Sequence, residues 1–597
     1  MWIFSPLQRF RWAKLTSIQT QLRIIWPYYL ENRAGLRWGF ALLVLSNATA
    51  AAIPYLLKLA TNSLHHPSDP TRMIFFALGL MLLALFHSLL RIFGRIQVFR
   101  VGLKIEYELR KAYHAKLTNL DSSFFMQSRT GDLISRGIND ILAVRMFIGP
   151  GFLQVTNTFM SYCIILPVML TLDPLLTGLA LLPFPIMFGL TWLMTKHLYQ
   201  LSQIVADRFG KLSSFIQETL AGLTVLRALA VEPLWQHRFD QANGGLYEAN
   251  LRHARLQSFF PAMILFGGAL GVWIILAYSG PRVVEGTFTL GDFVAFTGYL
   301  SMLIWPTVGL GWILTILQRG IAALERIGVV LNASPMSPSA PSLAQPIRWS
   351  GNISIRHLHF SHATHPVLQG INIDIPSGAF IGLVGRIGSG KSTLLALLAR
   401  LWPTPPGTIF FDQQDLAYID EASLRHNLAM VPQDSFLFSA SIQDNLLFGH
   451  PLAGEEKAWE MARFAALEKE ILQFPQRMAT IVGERGITLS GGQRQRVALA
   501  RALVMETPIL LFDDIFSSVD ARTEATILQN LRQLTHGQTL LMVCHRIAAL
   551  READAIIVLD QGRIVAFGPH TQLLIESPLY QNLHDQMQRQ EKLETLT

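Results

Sequence analysis

Residues 381–393 read Ile381-Gly382-Leu383-Val384-Gly385-Arg386-Ile387-Gly388-Ser389-Gly390-Lys391-Ser392-Thr393. An apolar run feeds a glycine-rich loop, and the helical pattern Leu394 to Leu401 follows it. The spacing is G-x-x-x-x-G-K-[ST] in the strand–loop–helix context that the motif requires. Phosphate chemistry explains each residue type. Glycines let backbone N–H groups wrap phosphate oxygens, and a helix N-terminus favours the negative charge. Lys391 is placed to reach β and γ oxygens, and Ser392 offers its hydroxyl to Mg²⁺. Gly385, Arg386, Ile387, Gly388, Ser389, Gly390, Lys391, Ser392 and Thr393 are therefore expected to cradle ATP.

Some 120 residues downstream a second apolar run, Pro508-Ile-Leu-Leu-Phe512, ends in Asp513-Asp514. Two carboxylates at the end of a buried strand beside the phosphate loop predict a division of labour. Asp513 partners Mg²⁺ through water, and Asp514 faces the water that attacks the γ-phosphate.

Upstream of the loop the chain changes character. Of its 597 residues 51% are hydrophobic and 15% charged, with a mean hydropathy of +0.34, and the charge is crowded into parts of the chain. One half should therefore be membrane and the other soluble. Six apolar stretches, roughly 37–60, 72–96, 148–171, 173–196, 257–279 and 290–315, approach the ~20 residues that a spanning helix needs. Two long connections, after the second and fourth stretches, hold most of the positive charge, from Arg91 to Arg145 and from Arg208 to Arg255. The short turns offer only Arg72 and Arg282. By the positive-inside rule both termini and both long connections are cytoplasmic, which accounts for the net charge of +8 without nucleic acid. Helical periodicity in the connections predicts that the spans continue beyond the membrane.

Residues 1–36 lack the apolar core and cleavage site of a signal peptide and read as an interfacial helix. The stretch Leu331 to Ala344, rich in Pro, Ser and Ala, places a linker at 331–350 between a membrane domain at 37–330 and a nucleotide-binding domain at 351–590. Cys163 and Cys544 stand far apart in unlike contexts, so a reducing compartment fits. Lys58 lies near the outer end of the first span and reads as snorkelling to the interface. Trp273, Trp305 and Trp312 read as interfacial or packing residues rather than a cavity wall.

Between the phosphate loop and Asp513 stands Leu489-Ser490-Gly491-Gly492-Gln493, which resembles the signature motif of ATP-binding-cassette proteins. The order around it resembles that family too: Gln433 in Val-Pro-Gln-Asp, then the signature, Asp513-Asp514, Ser517-Ser-Val-Asp520 and His545. Thr130 to Arg136 looks like a first-loop motif of the exporter branch, and Gly483-Glu-Arg-Gly486 resembles a segment of that branch that touches the membrane helices. The resemblance covers essentially the whole chain. It implies a polytopic α-helical domain of six transmembrane helices fused to an α/β P-loop NTPase domain, one half-transporter of an exporter rather than an importer.

In that family two chains sandwich two ATP molecules, each held by the phosphate loop of one chain and the signature of the other. The resemblance thus assigns Leu489, Ser490, Gly491, Gly492 and Gln493 to ATP bound on a second half-transporter chain. It gives Gln433 a role at Mg²⁺ and in coupling, Asp520 communication across the dimer, and His545 contact with the γ-phosphate. Segments near Ser122 to Gly131 and Gly222 to Leu229 would seat on the nucleotide-binding domains.

Two positions depart from the pattern. His362, in Phe360-Ser361-His362, replaces the aromatic residue that stacks on adenine and offers less area. Asp514 replaces a glutamate, and losing one methylene withdraws the carboxylate by roughly 1–1.5 Å, a displacement of the size that can cost ~10²-fold in rate. The pattern resembles asymmetric heterodimeric bacterial exporters, multidrug-resistance-type subunits in which a slow site on one chain accompanies a fast one on its partner. The implied activity is ATP-driven export of hydrophobic or amphipathic cargo, drug-like or lipid, across a bacterial inner membrane. A lipid flippase, or a regulatory ATP-binding subunit, shares the same sequence features.

Overall fold

The computed structural model describes residues 22–64, 70–333, 348–362, 365–534, 537–543 and 545–596. Most of the expected interfacial helix, the linker residues 334–347 and Cys544 lie outside the described residues. Two compact units emerge, one of membrane helices up to Ala333 and one holding Asn119–Ser128 with the chain beyond Ala333.

Among the described residues six helices of the first unit are long and apolar enough to cross a membrane: Arg33–Ser63, Thr71–Thr118, Thr130–Leu172, Pro174–Ala221, Glu232–Val284 and Leu290–Leu331. The last five have 42 to 53 residues, so at 1.5 Å per residue they reach about 60–80 Å, twice the hydrocarbon thickness. Each apolar stretch expected from sequence falls within one of them, and the spans do continue as helix.

Local chemistry sets their ends. Asp173 caps the fourth helix by accepting from the Leu176 N–H at 2.9 Å, with Pro174 behind it, and its other oxygen accepts from Arg282 at 2.7 Å. The short helix Ser122–Gln127 is capped by Asp121, which accepts from the Phe124 N–H at 3.1 Å. Leu223–Leu229 ends where Ala230 turns left-handed at φ 50°. The third helix carries two π-helical turns, Arg136–Asp140 and Phe147–Gly151. The first of these delivers the buried Asp140 to Arg326, which holds it with two bonds of 2.7 and 2.5 Å.

Polar groups within the spans pair with each other, as a low-dielectric environment demands. Asn47 accepts from Ser161 and donates to Asn157, both at 3.2 Å, and the Tyr162 and Thr307 hydroxyls lie 2.6 Å apart. Lys58 departs from the sequence reading. Its ammonium is 2.5 Å from Asp292 on the sixth helix, so the nearby carboxylate replaces water as its partner. Trp273, Trp305 and Trp312 are exposed on the single chain, Trp312 least at 45%.

The second unit is built on two sheets. Strands β1 (Ile353–His362), β2 (His365–Ile375), β4 (Ile409–Phe411) and β5 (Gln414–Asp415) form an antiparallel sheet in the order β2-β1-β4-β5. Strands β3 (Phe380–Gly385), β6 (Leu428–Val431), β7 (Ile509–Asp513), β8 (Thr539–Val543), β9 (Ala555–Asp560) and β10 (Arg563–Gly568) form the other, in the order β10-β9-β3-β8-β7-β6. β9, β3, β8, β7 and β6 run parallel. Buried on both faces, β7 and β8 read as continuous apolar runs rather than alternating ones. The phosphate loop leaves the carboxyl end of β3 and the Asp513-Asp514 pair that of β7. Parallel strands therefore bring both motifs to one edge, where open α/β sheets bind ligands.

Candidate nucleotide-binding site

At that edge lies a cavity of about 720 Å³ lined by Gly385–Gly388, Lys391, Ser392, Gln433, Asp513, Asp514 and His545 among others. Residues that stand up to 160 positions apart in the chain are thus brought to one cleft. The loop can turn because Gly390 sits at φ 102°, and a Cβ there would stand 2.7 Å from the Leu368 side chain. The following helix, Lys391–Leu398, starts at that turn with its first N–H groups facing the loop.

Lys391 is buried and donates to the Gly385 and Arg386 carbonyls at 2.9 and 3.0 Å. Burial pushes its ammonium below the ordinary lysine value, while the Asp513 and Asp514 carboxylates oppose that shift. Burial likewise raises Asp513, with a hydrogen bond from Ser392 working the other way and the Asp514 charge adding to the rise. Asp514 occupies the left-handed region at φ 51°, which aspartate tolerates better than most side chains. Its carboxylate accepts from the Gln433 amide at 3.3 Å. The Ser389 hydroxyl is buried without a hydrogen-bond partner among the described residues, a donor left over inside a loop shaped to surround an anion. Ser392, Gln433 and Asp513 together offer the hard oxygen donors that suit Mg²⁺.

The remaining candidates lie elsewhere. Leu489–Gln493 and Asp520 do not line this cavity. Ser490 caps the helix Gly491–Leu503 in a reciprocal box with Gln493. A Cβ at Gly492 would stand 2.6 Å from the Ser518 carbonyl oxygen, so the glycine lets the helix start press against the segment before Asp520. Gln495 joins the same two segments, donating to Ser517 at 2.6 Å and accepting from the Ser518 N–H at 3.0 Å. Asp520 caps Ala521–Leu534 through the Thr523 N–H at 3.0 Å, a bond that holds its carboxylate below the usual range. His362 also lies outside the cavity lining, edge-on to Trp402 at 4.6 Å and to Phe360 at 5.0 Å between ring centroids.

Sequence reasoning gave no role to Arg501, Gln495 or the pair Glu524–Arg546. Arg501 donates to the Phe436 and Asn445 carbonyls, each at 2.9 Å, tying the segment after Gln433 to the signature helix. Arg546, next to His545, donates to the buried Glu524 at 2.8 Å. Gly486, in the segment Gly483–Gly486, sits at φ 71° close against Leu437 and Arg494.

A chain that joins six membrane-length helices to an α/β ATPase domain of this geometry defines an ATP-driven membrane transporter subunit. Family models match residues 36–307 as the ABC transporter transmembrane region and residues 368–517 as ABC transporter. The chain is 33% identical to the multidrug resistance-like ATP-binding protein MdlA of Escherichia coli, over 96% of this chain and 97% of that protein. It is 33% identical to the probable multidrug resistance ABC transporter ATP-binding/permease protein YheI of Bacillus subtilis, over 82% and 84%. An ATP-dependent lipid A-core flippase of Syntrophus aciditrophicus is 29% identical over 92% of each chain. An ATP-bound bacterial Atm1-family ABC exporter has the same fold, with a TM-score of 0.76, 26% identity, and coverage of 92% of this chain and 97% of that one. The chain belongs to the ATP-binding-cassette transporter family, as a half-transporter that couples ATPase activity to transport.

Proposed function

We propose that this chain exports hydrophobic or amphipathic compounds by alternating access, as one half of a heterodimer in which its own phosphate loop forms the slow site. The observation that carries the reading is Asp514 at the water-facing position, one methylene short of glutamate, beside a complete Leu489–Gln493 signature. A chain with a weak catalytic carboxylate and an intact signature is suited to complete a fast site on a partner. Relatives named for multidrug resistance support the cargo class.

In this reading ATP acts through its higher affinity for the closed pair of ATPase domains. Closure turns the cavity outward, and hydrolysis resets it. Gly385 to Thr393 hold the phosphates, and Lys391 exchanges its two loop carbonyls for phosphate oxygens. Ser392, Gln433 and Asp513 would hold Mg²⁺, which when bound would supply electrostatic stabilisation of the transferring phosphate. Asp514 orients the attacking water, Gln433 steers Asp514, and His545 faces the γ-phosphate. His362 supplies the stacking surface for adenine, with less area than a larger ring would offer. The inner membrane is the setting, with both termini and the ATPase domain cytoplasmic.

A lipid cargo is the second reading, supported by the flippase relative. A regulatory subunit, which holds ATP and only gates its partner, is distinguished by turnover. Mg²⁺-ATPase activity of the chain in lipid, alone and with a candidate partner chain, tests the proposal. Low activity alone that rises sharply on pairing supports the asymmetric heterodimer, and Asp514→Glu should then raise the chain's own turnover by about 10- to 100-fold. Robust activity alone with little gain from glutamate would instead indicate a homodimer in which aspartate suffices.

A further inference from the structure

The third, fourth and sixth membrane helices enclose a cavity of about 800 Å³ distinct from the nucleotide cleft. Among the described residues its lining carries three cations, Lys196, Arg319 and Arg326, two aromatic rings, Trp192 and Tyr199, and no carboxylate. Arg326 is neutralised by Asp140 at 2.5 Å. Among the described residues Lys196 and Arg319 form no ion pair, so two positive charges from two helices converge on the cavity uncompensated.

Depth adds a second constraint. Lys196 closes the apolar stretch 173–196, and Arg319 lies one turn beyond 290–315, whereas Trp192 lies about one turn before Lys196 and Gly311 about two turns before Arg319, toward the hydrocarbon. The cavity therefore straddles the inner boundary of the membrane, cations at headgroup level and an aromatic ring above them. The positive-inside rule explains the sign of charge at this depth. It does not explain why the charges face a shared cavity rather than opposite sides of their helices.

We infer that this cavity binds an amphipathic anion, with Lys196 and Arg319 on its phosphate or carboxylate head and Trp192 along its tail. The inference rests on the proposed export reading and narrows its cargo class. Charge-assisted hydrogen bonds from an ammonium and a guanidinium fit a headgroup oxyanion. A cationic amphiphile there would meet two like charges, so the site discriminates by repulsion as well as attraction.

The test uses the full chain in phosphatidylcholine nanodiscs with two dansyl-labelled probes of equal tail, dodecyl phosphate and dodecyltrimethylammonium, read by fluorescence anisotropy. The phosphate probe should bind about tenfold or more tightly than the ammonium probe. Lys196→Ala with Arg319→Ala should erase that preference, while Lys196→Arg with Arg319→Lys keeps it within about threefold. Equal affinity for both probes, or a preference that survives the double alanine variant, overturns the inference. Labelled-ATP binding in each variant reports whether the ATPase unit remains folded. Adding phosphatidic acid to the nanodiscs distinguishes the source. Displacement of the probe means that the anion is taken from the bilayer, undiminished binding that it comes from water, and both outcomes uphold the subsite. Loss of ATP-driven transport with the anion preference intact would count against the export reading and not against this site.

Discussion

The Gln433 amide reaches the Asp514 carboxylate at 3.3 Å, and that carboxylate stands beside Asp513, Lys391 and Ser392 in one cleft. Lys391, Ser392, Asp513 and Asp514 were legible in sequence because the phosphate loop and the strand-end carboxylates are local motifs whose chemistry fixes residue type and spacing, whereas Gln433 was legible only through the resemblance to the family. What sequence could not give was protonation. Burial raises Asp513 and lowers Lys391, and burial is a property of the folded cleft. Asp520 yields a prediction at this scale. Its folded pKa lies below the unfolded one because the Thr523 N–H stabilises the carboxylate. The stabilisation is therefore fully present above the unfolded value of about 4 and is lost as pH falls through the folded value. Asp520→Ala should cost about 0.5–2 kcal/mol of cap energy near neutral pH, and the gap between the two proteins should close on acidification. Thermal unfolding of the ATPase domain across pH 3–7 measures it, and a gap independent of pH would show that the charge is irrelevant.

Among the elements, the helix Gly491–Leu503 has the most exacting neighbours. Its first turn packs on the Ser518 backbone, and Gln495 bonds both Ser517 and Ser518. Gly492→Ala should force that segment to move, at a cost of about 1–3 kcal/mol, with ATPase activity of the dimer falling more than thermal stability does. An alanine variant with unchanged turnover would mean that the close approach is dispensable. Membrane helices make a parallel case through Lys58 and Asp292, whose side chains are 20% and 15% exposed. Removing one partner of a partly buried pair strands the other charge, whereas removing both does not. Lys58→Met should therefore destabilise the membrane unit by about 2–3 kcal/mol, and Lys58→Met with Asp292→Asn by less. Nanodisc thermal unfolding of the two variants gives the comparison, and equal losses would mean that the pair does not interact.

At the level of the whole molecule the signature motif and the nucleotide cleft of one chain do not meet, so turnover is expected to depend on a second chain. With the proposed partner present, replacing that partner's catalytic glutamate by glutamine should remove most ATPase activity, whereas Asp514→Asn in this chain should change it by less than about twofold, because a site short by ~1 Å contributes little to the total. Equal losses from the two replacements would contradict the asymmetry. The sequence by itself determined the six spans and the nucleotide motifs, since hydropathy over some twenty residues and phosphate-loop spacing are one-dimensional signals. Tertiary structure alone decided the pairing of Lys58 with Asp292, the anchoring of the Gln433 segment by Arg501, and the convergence of Lys196 and Arg319 on one cavity. Each joins residues 65 to 234 positions apart. No local periodicity encodes such a meeting, because it depends on which helix faces pack together.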